Sequence, residues 1–139
     1  MKKLAYLAVF LAAPAFAGDT PSPEGAQVYI ISPKDGASVS NPVTVVFGAV
    51  GVGIAPAGVE WDNTGHHHLF MNRGPYEDAK DGVDPIAGDE NHKHFGGGQT
   101  QVTMDFPAGE NSLQLVLGDV YHVSLTPPVV SQVINITVE

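Results

Sequence analysis

Thr100-Gln101-Val102-Thr103-Met104-Asp105-Phe106 and Leu113-Gln114-Leu115-Val116-Leu117 carry apolar or β-branched side chains at every second position. Side chains alternate between faces of an extended strand, so this period of two marks strands with one buried face. Working outward, Ile134-Asn135-Ile136-Thr137-Val138 repeats the pattern, and Val43, Val45 and Phe47 form one face of an earlier run. Val28 and Ile30 do the same near the start. Turn chemistry separates the runs at Pro33-Lys34-Asp35-Gly36, Asn41-Pro42, Pro107-Ala108-Gly109 and Pro127-Pro128. No stretch after residue 17 combines caps with a 3.6-residue period. Short strands at this density predict an all-β, immunoglobulin-like antiparallel sandwich of about seven strands, with a small barrel as the second choice.

The N-terminus reads as an export signal. Lys2 and Lys3 precede an apolar stretch from Leu4 to Phe16, and Ala15-Phe16-Ala17 has the small-x-small pattern of a cleavage site. We therefore expect a signal peptide over 1–17, a proline-rich flexible lead-in over 18–26 and a single sandwich domain over 27–139. A bacterial signal of this kind implies a periplasmic or secreted product without membrane insertion. After cleavage, Lys34, Arg73, Lys80 and Lys93 face fifteen carboxylates, a net charge near −11. A surface so acidic disfavours nucleic acid and attracts cations. The chain has no cysteine, so neither a disulfide nor a thiolate site is available.

One run breaks the strand rhythm. Between Arg73 and Asn91 lies a long acidic loop with Glu77, Asp78, Asp81, Asp84, Asp89 and Glu90. Its spacing does not match the twelve-residue calcium loop, which favours a solvated loop over a calcium site.

Five of the six histidines fall in two clusters, Gly65-His66-His67-His68-Leu69 and Asn91-His92-Lys93-His94-Phe95; the sixth is His122. Residues two apart on a strand share a face about 6.5–7 Å apart, close enough for two imidazoles to converge on one ion. On a strand over 66–72, His67, Leu69 and Met71 form the more apolar face. His67 is thus expected inward as a hydrogen-bonded structural residue, and His66 and His68 outward. Phe95 anchors the second cluster in the core and leaves His92 and His94 on the other face. The candidate metal ligands are His66, His68, His92, His94 and His122. Asp119 and His67 are expected to support the ligands without binding the ion, and Asp62, Asp89 and Glu90 are further acceptors. Imidazole suits copper(II) first, with zinc as the alternative, and not calcium or magnesium.

Three segments together, Gly65 to Leu69, Asp89-Glu90-Asn91-His92-Lys93-His94-Phe95-Gly96-Gly97-Gly98-Gln99-Thr100 and Leu113-Gln114-Leu115-Val116-Leu117-Gly118-Asp119, resemble a family of small exported bacterial domains of unknown function. The resemblance runs from about Gly51 to Val138. Members are sometimes labelled rod-shape-determining proteins, a class that needs many membrane spans. The resemblance implies no activity. It implies a His-x-x-His pair before Pro-Pro, where this chain has His122 and then Leu125. Three function classes remain: a metal carrier, buffer or sensor; a module that binds another envelope protein; and a copper redox enzyme of dismutase type.

Overall fold

The computed structural model describes residues 20–82, 85–86 and 88–139; the expected signal peptide lies outside them. Among the described residues there are nine strands and one short helix. They are β1 (Gln27–Ser32), β2 (Ser38–Val39), β3 (Val43–Val50), β4 (Gly53–Ile54), β5 (Thr64–Met71), α1 (Asp78–Asp81), β6 (His92–His94), β7 (Gln101–Met104), β8 (Gly109–Gly118) and β9 (Ile134–Val138). Seven of the strands have three residues or more, in line with the number read from the sequence. No helix among the described residues is long and apolar enough to cross a membrane.

The strands form two sheets, β1-β3-β7 and β2-β9-β8-β5-β4, with β6 also on the free edge of β5. Pairing is antiparallel except at the two-residue strands β2 and β4. The alternating positions meet between the sheets as a β-sandwich. Val28, Val43, Val45 and Phe47 of the smaller sheet pack with Leu69, Leu113, Leu115, Leu117 and Ile136 of the larger one. Phe95, Phe106 and Leu125 fill the ends of this core.

The acidic loop is not simply solvated. It crosses the outer face of the larger sheet, where Ile86 joins Phe70 and Val116 in a second small core with Tyr76 packed against it. Arg73 lies over the Phe70 ring at 4.0 Å and pairs with Asp81 at 2.8 Å. The Tyr76 N–H donates to Gln114 Oε1, and the Ile86 N–H donates to the His122 carbonyl. Every residue of β5 from Gly65 to Met71 is buried, on both faces. The lead-in is tied down from Thr20 on: the Thr126 N–H donates to Thr20 O, and the Ser22 N–H donates to Thr126 O.

His67 points into the main core beside Phe47, with ring centres 5.1 Å apart. The hydrogen bonds expected for it are not formed, since neither ring nitrogen has a partner. Its neighbours there are the Phe47 ring and the rest of an apolar core, which offer nothing to bond. A buried polar group without a partner costs about 1–3 kcal/mol. We therefore expect His67→Leu, which keeps volume and removes both orphan nitrogens, to raise stability at pH 7 by about 1 kcal/mol. Urea denaturation of the two proteins checks this, and a loss of stability in the variant would refute it.

Candidate metal centre

Strand alternation and register bring the other histidines together. His66 and His68 project from the face of β5 opposite the main core. In the β5–β6 ladder His68 pairs with His94 and Phe70 with His92, and directly opposed residues share a face. The turn after β8 returns His122 to the same place. Ring centres of His94 lie 4.9 Å from His66 and 5.1 Å from His68. The His122 ring lies 5.0 Å from His66 and 4.7 Å from His94. All five candidate ligands thus meet in one cluster.

Within the cluster the five are not equivalent. His68 Nε2 is 2.8 Å from His66 Nε2, and His68 Nδ1 is 2.8 Å from His92 Nε2. One nitrogen from each of His66, His68 and His94 lies within 4.8 Å of the others, and this trio could hold a metal ion. A neutral imidazole offers one donor and one acceptor, so donation along His66–His68–His92 can run either way. In one direction His68 Nδ1–H donates to His92, and the Nε2 lone pair of His68 accepts from His66 Nε2–H, so it becomes available to an ion once the His66 proton moves to its other nitrogen. Metal-bound histidines characteristically have their second nitrogen held in this way.

Two glycines make room for the rings. A Cβ on Gly118 would sit 2.5 Å from His68 Nε2, and one on Gly96 would sit 2.4 Å from the His94 ring. Their role was not apparent from the sequence, although both lie inside the segments 89–100 and 113–119 that carry the family resemblance.

His66 and His68 are 1% and 0% exposed, so the expectation that they face outward holds for the sheet and fails for solvent. Burial pushes the His66 pKa down to about 4, assisted by the nearby His94 and His122 and partly opposed by Asp119. Burial and then His66, His92, His94 and His122 push His68 down to about 2. Burial and His122 also lower His94. These rings are therefore uncharged at neutral pH, the state a metal requires.

Asp119 was expected to accept a hydrogen bond from an imidazole, and it does not. Its Oδ1 accepts from the N–H groups of Tyr121 and Val123, and its Oδ2 accepts from Thr20 Oγ1 at 2.7 Å. It closes the turn in which His122 adopts φ 68°, a left-handed conformation uncommon outside glycine. Asp119 thus acts on His122 through the backbone. His67, expected to support the ligands, lies on the other side of the sheet. Leu125 is in the main core, so the place of a second family histidine faces away from the cluster. Asp62, Asp89 and Glu90 are not in the metal-competent trio.

The fold and the site define a β-sandwich protein whose outer sheet face carries a buried histidine cluster able to take a metal ion. The chain belongs to the family described as Domain of unknown function (DUF4399), which matches residues 45–139 and so includes every histidine. No curated protein and no solved structure matches the chain.

Three buried histidines with lowered pKa values set the pH response of the metal-free protein. His66, His67 and His68 bind protons near pH 6.5 when unfolded but only near 4, 4 and 2 when folded. The unfolded chain holds more protons between those limits, so stability is full above pH 6.5 and falls as the pH drops below it. By pH 5 each ring removes on the order of 2 kcal/mol. Urea midpoints at pH 7, 6 and 5 should decline steadily; a constant midpoint would show that the rings do not stay neutral in the fold.

Proposed function

We propose that this is an exported metal-binding protein that holds copper(II), with zinc as the alternative, as a carrier, buffer or sensor. The observation that carries this reading is the trio His66, His68 and His94, two of them buried, with nitrogens already within 4.8 Å of one another. His122 faces the trio and is the fourth ligand. His92 bonds the far nitrogen of His68 and orients that ring, so we move it from the ligand set to a supporting role.

Copper is the first choice for imidazole ligands, and one spacing is compatible with it. Two nitrogens 2.8 Å apart, as in the His66–His68 pair, subtend about 86° at an ion about 2.05 Å from each. Tetrahedral zinc needs a separation of about 3.3 Å, so its rings would have to part by about half an ångström. The near-right angle suits tetragonal copper(II). Binding through both Nε2 atoms moves the proton between His66 and His68 to the far nitrogen of one ring, and because the rings are already neutral little net proton release should accompany it at pH 7.

Calorimetric titration of the processed, metal-free protein should show one copper(II) per chain, bound more tightly than about 10 µM. Asparagine at His66, His68 or His94 should abolish binding, and His92→Gln should weaken it by about 10–100-fold. No stoichiometric binding of either copper(II) or zinc at that affinity overturns the proposal. Gly118→Ala gives a second check that leaves every ligand in place. Its methyl group would occupy the space beside His68 Nε2. Copper affinity should fall by at least about tenfold while the β-sheet circular dichroism is retained. Unchanged affinity would place the ion away from His68.

A further inference from the structure

A groove of about 360 Å³ lies beside the metal centre, between the 55–64 segment and the turn after β8. It holds Val59, Trp61 and Tyr121, three of the seven large apolar side chains that the described residues expose. Trp61 is 72% exposed and is the only tryptophan of the chain. Large exposed aromatics gathered in one place are characteristic of interaction sites rather than of a solvated surface.

The exposure of Trp61 does not reflect a loose loop. Thr64 Oγ1 donates to the Trp61 carbonyl at 2.7 Å, and the Gly53 N–H donates to the Asn63 carbonyl at 2.9 Å. Asn63 takes the left-handed conformation, φ 60°, that closes the turn. Further along, the Ala55 N–H donates to Gly65 O and the Ala57 N–H to Gly96 O. The segment is pinned at both ends and holds its aromatic ring in water. Such preorganisation removes the ordering cost that a flexible loop would add to binding.

The charge of the groove selects its partner. Glu60 and Asp62 flank Trp61, and among the described residues no lysine or arginine lines the groove. A cation placed here meets carboxylates and an aromatic face together, the combination that favours guanidinium and ammonium groups. The volume is at the small end of ligand pockets and fits one or two side chains, not a whole cofactor.

We propose that this groove docks an extended, basic segment of a partner protein, with an arginine or lysine side chain against Trp61 between Glu60 and Asp62. The residues that would hold the partner, Glu60, Trp61 and Asp62, are not metal ligands, so the proposal stands or falls independently of metal binding. The groove's wall includes Val120 and Tyr121, from the same turn that carries His122, and His66 contributes to its floor. A partner seated here would therefore lie next to the metal centre.

The single indole N–H resonance of Trp61 makes the test direct. The ¹⁵N-labelled processed protein is titrated with a capped pentapeptide of alternating leucine and arginine, and with its glutamate counterpart. The basic peptide should shift the indole signal and the amides of residues 59–65 and 120–121 saturably, and the acidic one should not. The surface double variant E60Q/D62N should weaken binding by about tenfold, whereas E77Q/E90Q in the acidic loop should not change it. Shifts spread over the acidic loop, an unmoved indole, or equal binding by E60Q/D62N each overturns the proposal. Arginine amide alone binding as tightly as the peptide also overturns it, because the site would then serve a small cation.

Discussion

The site depends on one short piece of pairing, the register in which β6 lies on β5. Three residues are enough because both ends are clamped. The Phe95 N–H donates to His67 O at 3.0 Å, and the Met71 N–H donates to Asn91 O at 2.8 Å. The Asn91 side-chain amide adds a bond of its own, donating to the Met71 carbonyl at 2.9 Å. Within these limits His94 must face His68 and His92 must face Phe70. A slip of one residue would bring Lys93 opposite His68 and turn both histidines away, because side-chain direction inverts at each step along a strand. Phe95, buried in the main core, opposes any such slip.

Burying three imidazoles, His66, His68 and His92, on one sheet face runs against the stability of the metal-free chain. His66 and His68 lose hydration and gain only hydrogen bonds to other rings. Nothing in the packing demands histidine there, since Phe70 and Val116 show that the same outer face accepts apolar side chains beneath the same loop. A cluster with that cost becomes intelligible if something binds the folded state, because a ligand specific to the native form returns stability by mass action. An ion held by neutral imidazole nitrogens is such a ligand. His67 is the exception, for its orphan nitrogens face hydrocarbon and bind nothing.

Strands were legible because their signal is local. Leu113, Leu115 and Leu117 alternate in sequence and are all fully buried between the sheets. The inward turn of His67 followed from the same rule. The covering of the outer face of β5 at Phe70 did not, because it comes from a loop whose composition is dominated by carboxylates. Its two anchoring side chains, Tyr76 and Ile86, are the signal that could have revealed it, isolated apolar residues in a run otherwise suited to solvent. The role of Asp119 was misjudged for a related reason. Proximity in sequence to His122 suggested a side-chain bond to the ring, while the carboxylate instead satisfies backbone donors within its own turn. Turn closure is the commoner use of an aspartate at such a position.

That turn is where the parts of the molecule meet. Asp119 receives the lead-in through Thr20, Val120 and Tyr121 wall the acidic groove, and the His122 carbonyl receives Ile86 from the covering loop. A left-handed non-glycine residue costs of order 1–3 kcal/mol and persists only where its surroundings over-determine it. Here they do, and the consequence is a ring aimed at His66 and His94. The exposed edge of the cluster is formed by His94 and by His122, which is only partly covered, while His66, His68 and His92 are sealed. An ion taken up by the cluster would therefore approach past His94 and His122. The residues that hold His122 in its strained conformation thus also shape the approach to the site.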